Sequence, residues 1–361
     1  MRRLNDLLTP GQLTDIEGAP LIMGTRHPTW FPLFSEKSRA IDHLVHEAVA
    51  KIHHEPKGDG WLKDLVPRLV DVADASGGSS ALAELRAYGG LLEAGFSVEP
   101  IPCRDDSTPD FRVDAGDGPI TVEVFAKHQD KEQDRLLEAI NKPGERLPDG
   151  VERHVHTAGS RSVTTTMAEL APAGRPDPTK PFDSIQANFV SRVCAIKQAE
   201  HQLPQDEPAL LIIDFAHFGG PHVAEFLEPG QATPIESGHR GITCGAIWYA
   251  MYGWRGALLF EESSHRLVRM GHDGRFRLAG SKTTKLSGVL AVFYEGAVLL
   301  ENPWAAHRIP DRTRLALSRY PWFDLSRSVA DWHPGDASKQ IDLQRRMIEI
   351  FERDRSRFEF E

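Results

Sequence analysis

The chain has 361 residues, 40% hydrophobic and 26% charged, with a formal net charge of −10. This is ordinary globular composition, long enough for one large core or two smaller ones. The acidic balance excludes a global attraction for nucleic acid, so any such binding must come from a local basic patch.

Cys103, Cys194 and Cys244 are far apart and never form a CxxC pair, which excludes a disulfide framework and a zinc ribbon and fits a reducing, cytoplasmic setting. The first residues meet charge and proline before any apolar run of signal length. No window has the apolar length of a membrane span.

Residues 1–35 combine Pro10, Pro20, Pro28 and Pro32 with Trp30, Phe31 and Phe34, and read as an irregular arm packed on the body. Residues 36–54 follow helical spacing through Ile41, Leu44, Val45, Ala48 and Ile52. The Pro56–Gly60 stretch ends that helix, and 61–75 forms a second. Residues 76–80, Ser-Gly-Gly-Ser-Ser, read as a hinge with a serine N-cap for a third helix over 81–94. Glu84 then falls in the first turn, where a carboxylate suits the helix dipole. Gly95 is the stop.

Short strands follow at 96–102, 110–113 and 120–126, the last two paired across Ala115-Gly116-Asp117-Gly118. Alternation puts Val122, Val124 and Ala126 on one face of the last strand and Thr121, Glu123, Phe125 and Lys127 on the other. Residues 128–161 are charged and loop-like around a short helix at 131–140, with His154 and His156 alternating as on a strand. Proline-rich residues 171–181 read as a surface loop. A helix is expected over 183–202, its polar side carrying Lys197. Residues 209–215 form a strand buried on both faces. A buried helix at 241–252, strands at 256–260, 286–293 and 297–301, and a last helix at 338–351 complete the chain.

From 81 to 215 the order is helix, strand, strand, strand, helix, strand. An acid lies on the first helix, Pro109-Asp110 opens the second strand, and Glu123 lies on the third. This arrangement resembles the restriction-endonuclease-like fold of the PD-(D/E)xK nuclease superfamily over about 135 residues. The resemblance implies an α/β fold with an αβββαβ core, a mixed sheet flanked by helices. It divides the chain into an N-terminal arm and helices (1–79), the core (80–216) and a C-terminal α+β extension packed on it (217–361).

The resemblance further implies a metal-dependent nuclease acting on nucleic acid, DNA before RNA. Asp110 and Glu123 would ligate Mg²⁺ or Mn²⁺, with Glu84 an outer or water-mediated ligand. A lysine two residues after the glutamate would assist the attacking water. That position holds Phe125. Lys127, two positions further and 6–7 Å along at strand rise (about 3.3 Å per residue), is placed ahead of Lys197 for the role. The missing lysine opens a second reading, an inactive nuclease fold that binds nucleic acid or a protein partner.

The residue types suit the chemistry independently of the family. Mg²⁺ held by one or two carboxylates supplies a nucleophilic water and neutralises phosphate charge. It also relieves the repulsion of two close carboxylates. Taken singly, each acid reads as structural. The sixteen histidines show no HExxH spacing, and no GxxxxGK[ST] loop occurs. Local basic surface is expected in 253–285, where Arg275, Arg277, Lys282 and Lys285 are the candidate phosphate contacts, against the plain reading of a solvated charged hairpin.

Overall fold

Residues Ala209–Asp214 are buried throughout, and the sheet is built outward from them. The computed structural model describes residues 3–21, 26–35, 40–102, 108–128, 136, 151–159, 161–168, 173–177, 179–180, 183–197, 200–216, 218, 245–261, 266–277, 284–294 and 296–358. Five helices come first: α1 (Pro10–Glu17), α2 (Trp30–Phe34), α3 (Ala40–Ile52), α4 (Gly58–Val70) and α5 (Ala75–Ala94). Then come β1 (Ser97–Pro100), β2 (Phe111–Asp114), β3 (Pro119–Ala126) and a separate hairpin, β4 (Val151–Ala158) with β5 (Arg161–Ala168). Helix α6 (Ile185–Cys194) leads to β6 (Ala209–Asp214), α7 (Ala246–Tyr252) and the hairpin β7 (Leu258–Glu261) with β8 (Arg266–Arg269). Strands β9 (Leu286–Val292) and β10 (Ala297–Glu301) and helices α8 (Asp311–Leu317) and α9 (Asp336–Phe358) close the chain.

The protein is mixed α/β, with a six-stranded sheet in the order β1-β2-β3-β6-β9-β10. Strands β1, β2 and β3 pair antiparallel, β6 lies parallel between β3 and β9, and β10 returns antiparallel to β9. The three parallel strands are buried on both faces, as parallel sheets require. Val122, Val124, Ile212 and Leu290 face α3 and α5 in one core layer. Leu211, Ile213 and Val289 face α6 and α7 in the other. Strands β9 and β10 lie in the stretch the sequence assigns to the C-terminal extension, and they complete the sheet beyond β6. No helix among the described residues is long and apolar enough to cross a membrane.

Three boundaries depart from the expected ones. The arm is not irregular: Leu4–Leu7 forms a 3-10 turn, and Thr9 caps α1 with Pro10 at its first position, where proline is tolerated. The Ser-Gly-Gly-Ser-Ser stretch is not a hinge but the first turns of α5, capped by Asp74, whose Oδ1 accepts from the Gly77 N–H at 2.9 Å. Small residues there reflect close packing: further along the same helix, a Cβ on Gly89 would collide with Ala48 of α3. Gly95 does end the helix, in the left-handed conformation. Helix α6, finally, stops at Cys194 instead of running to 202.

The ends of the parallel strands are tied to α5 by a buried ion pair. Arg86 Nε donates to Asp214 Oδ2 at 2.8 Å, and both side chains are 2% exposed. Asp214 Oδ1 accepts from the Ala216 N–H, while Arg86 Nη2 is buried with no partner. Removing one member leaves an uncompensated interior charge. Asp214→Ala should therefore lower stability by about 3–5 kcal/mol in urea unfolding, and Arg86→Met added to it should restore most of the loss. Equal stability of the single variant and the native chain would show that the pair does not hold this end of the sheet.

Candidate functional site

Asp110, Glu123 and Lys197 come together at the β2–β3 pair and the segment after α6, while Glu84 is near enough only for its charge to act on the two carboxylates. Asp110 immediately precedes β2, and its Oδ2 accepts the Val124 N–H at 2.7 Å, which anchors the carboxylate to the next strand. Glu123 lies in β3 opposite Leu211 of β6, on the face covered by α6. It is only 3% exposed. Its Oε1 is 2.6 Å from Lys197 Nζ, and its Oε2 is buried with no hydrogen-bond partner among the described residues. Lys197 Nζ also donates to Gln202 Oε1 at 2.8 Å. Gln202 Nε2 in turn reaches the Thr108 carbonyl, beside the Pro109-Asp110 turn.

Glu84 sits in the third turn of α5, not the first, so the helix dipole does not account for it. Both its oxygens accept from the guanidinium of Arg68 on α4, at 2.7 and 2.9 Å. Its charge still bears on Asp110 and Glu123. Burial pushes the Asp110 carboxyl well above the usual range, and the charges of Glu123 and Glu84 push it further; the Val124 N–H and Lys197 oppose them. Glu123 is also raised, by burial first, with the Lys197 ammonium pulling the other way. The pair is therefore held partly against its own charge, as in two carboxylates sharing one site.

Lys127 does not reach this cluster. Four residues at strand rise separate it from Glu123 by about 13 Å, and its ammonium lies over the Phe218 ring, 5.4 Å from the centroid. The order expected for the two lysines is thus reversed. What brings Lys197 in is the early end of α6. Lys197 and Glu200 take left-handed backbone conformations, φ 51° and 52°, which turn the chain back over Glu123.

That turn is fixed by Arg275, expected on the surface but 1% exposed. Its guanidinium donates to the carbonyls of Cys194, Ile196 and Lys197 and to the Glu200 carboxylate. Thr284 Oγ1 and the Lys285 N–H also donate to Glu200, and Lys285 Nζ donates to the carbonyls of Glu200 and Leu203. Arg275 and Lys285 are therefore internal struts, not phosphate contacts. Their amino and guanidinium protons satisfy carbonyls left open where α6 ends. Arg277 closes the same short 3-10 turn as Arg275, and Lys282 lies outside the described residues.

Sequence reading missed Arg68, Glu200 and Gln202. No spacing marks them: Arg68 and Gln202 are defined by tertiary partners, and the left-handed backbone at Glu200 carries no local signature in a non-glycine residue. A cavity of about 10 Å³ lies beside Glu123 and Lys197, walled by Glu200, Leu211 and Arg275. That volume is at the lower limit for one water.

Among the described residues no three His, Cys, Asp or Glu side chains form a group that could hold a metal ion. The donor set to be tested is therefore a carboxylate pair. Two carboxylates suit Mg²⁺, which retains several waters and takes its remaining ligands from substrate phosphates. The partnerless Glu123 Oε2 fits such a cation. No protein-family model, no curated protein and no solved structure matches the chain, so its functional reading rests on these residues.

The raised Asp110 pKa fixes the sign of a pH effect. A carboxyl that holds its proton more tightly folded than unfolded loses stability as pH rises from the unfolded range through the folded one. Asp110→Asn should make the protein more stable than the native chain at pH 7. The gain should vanish below the ordinary aspartate range, about pH 4. Urea unfolding of both proteins across pH measures it; an Asn variant that is less stable at pH 7 would remove the case for a strained carboxylate pair.

Proposed function

We propose that the chain is a metal-dependent nuclease built on a restriction-endonuclease-like core and hydrolysing phosphodiester bonds, with DNA as the expected substrate. The observation that carries this reading is the pairing of half-buried Asp110 with buried Glu123, one Glu123 oxygen having no partner among the described residues and the other lying against the Lys197 ammonium. The order of α5, β1, β2, β3, α6 and β6 supports it, as does the position of each acid within that order. Lysine supplied from the segment after the second core helix, and not from β3, is compatible with the resemblance.

Asp110 and Glu123 would hold Mg²⁺ or Mn²⁺. When bound, such a cation lowers the pKa of a coordinated water and neutralises charge on the phosphate. The chain's residues do the rest. Asp110 is fixed in place by the Val124 N–H, so the acidic pair needs little rearrangement. Lys197 opposes the rise that burial imposes on the Glu123 carboxyl, and its ammonium would stabilise charge developing on phosphate oxygens. Gln202 links that lysine to the turn before Asp110. Glu84, held in place by Arg68, adds a negative charge that acts on both carboxylates.

A second reading has its own observation. Lys197 is engaged by Glu123, and Glu84 by Arg68, so the charges largely answer one another within the chain. That closure suits an inactive nuclease fold that binds nucleic acid or a protein partner without cutting.

Cleavage of plasmid and single-stranded DNA with Mg²⁺ or Mn²⁺ separates the two. Asp110→Asn and Glu123→Gln should reduce cleavage to background. Lys197→Met should lower the rate by about 10²–10³-fold, the scale seen when one preorganised charge-stabilising donor is lost. Lys127→Met should leave the rate unchanged. Native-like cleavage by the acid variants would discard this site, and binding without cleavage in either metal would favour the inactive reading.

A further inference from the structure

Among the described residues, the hairpin β4–β5 is the regular element whose surface the cores leave open. Its strands pair antiparallel in unbroken register from Val151 opposite Ala168 to Ala158 opposite Arg161. Val151 is buried at the base, but from Glu152 to Thr166 every residue whose surface is described is exposed or half-exposed. Val155 and Val163 are 60% and 62% exposed, one on each face of the ribbon. A lone two-stranded hairpin is marginally stable in water. One wetted on both faces is a surface waiting for a partner.

Its chemistry identifies the partner. Arg153 and Arg161 stand against the single acid Glu152, in a chain whose net charge is −10. One face sets Arg153, Val155 and Thr157 across from Thr166, Thr164 and Ser162. The other sets His154 and His156 across from Thr165 and Val163, with Arg161 near the tip. Arginines, imidazoles and a row of hydroxyls are the donors that position a protein on a phosphate backbone. Dimensions agree: eight residues extend about 26 Å at strand rise, and two strands lie about 5 Å apart. A two-stranded ribbon of that kind enters the B-DNA major groove, about 12 Å wide. The hairpin is also inserted between β3, which carries Glu123, and α6, which leads to Lys197.

We propose that β4–β5 is the substrate-holding ribbon, lying in a groove of duplex DNA with Arg153 and Arg161 on the phosphates. This inference rests on the nuclease reading, since it supplies the hold on substrate that Arg275 and Lys285, as internal struts, do not. A protein partner would instead add a strand to the ribbon's edge through backbone hydrogen bonds and be indifferent to the two arginines.

The test is a titration of a labelled DNA duplex with the full chain carrying Asp110→Asn, which separates binding from cutting, over a range of salt concentrations. Adding Arg153→Ala and Arg161→Ala should weaken binding by at least about tenfold. The slope of log K against log salt should flatten by about 2, near 0.9 for each phosphate no longer neutralised. Arg→Lys at both positions should retain the slope. Circular dichroism should not change; because Arg153 is half-buried and donates to Thr166 Oγ1, the urea midpoint of each variant is measured alongside, and the Arg→Lys pair controls for any loss of hairpin stability. Unchanged affinity and slope in the alanine variant would overturn the ribbon inference. If metal-dependent cleavage by the native chain were still abolished by Asp110→Asn, the nuclease reading would survive that result. A chain that neither binds nor cuts DNA would overturn both.

Discussion

Glu123 places a charge where the fold favours none. It sits between Val122 and Val124 on a strand paired to the all-buried β6, beneath a helix. Burial raises its carboxyl pKa, and the Lys197 ammonium is what most opposes that rise. Most of what is irregular nearby follows from bringing that ammonium in. Helix α6 must end early, the chain must reverse over the sheet, and Gln202 must tie the reversal to the turn that carries Asp110.

The reversal is not self-supporting. Lys197 and Glu200 each hold a left-handed backbone that costs a non-glycine residue about 1–2 kcal/mol. Three carbonyls at the end of α6 would also lose their helical partners. Arg275 answers both problems with one planar group, reaching those carbonyls and the Glu200 carboxylate together. A cation at a helix C-terminus is favoured by the dipole as well. The position of Lys197 is thus set by a residue more than seventy positions away in sequence.

The sheet and the acids were legible because they follow from local patterns. The apolar run at 209–214 marked the central strand, alternation in β3 marked the face of Glu123, and Gly116 and Gly118 marked the turn between β2 and β3. The proline-aspartate step located Asp110 beside Val124. What could not be read was tertiary. Residues 76–80 read as a hinge because glycine and serine disfavour helix, yet a Cβ on Gly78 would collide with His27 of the arm, so a small residue is what fits there. Lys197 looked like a solvated helix residue because nothing local says that α6 stops at Cys194. Arg275 looked like surface because arginine usually is, and its burial depends on carbonyls and a carboxylate contributed by another segment.

The protein contains its own controls for what a purely structural buried acid looks like. Glu301 is also buried and pushed toward neutrality, but both its oxygens accept from Arg314, and Asp331 adds a backbone N–H. Glu200 accepts from Arg275, Thr284 and the Lys285 N–H, again through both oxygens. In each, both carboxylate oxygens accept hydrogen bonds from the chain. Glu123 is at least as deeply buried, yet one oxygen has no donor, and its nearest acidic neighbour is raised in part by its charge. The other two acids have donors on both oxygens, whereas Glu123 lies beside Asp110 and Lys197 with one oxygen open, and it is this difference that the proposed cation would use.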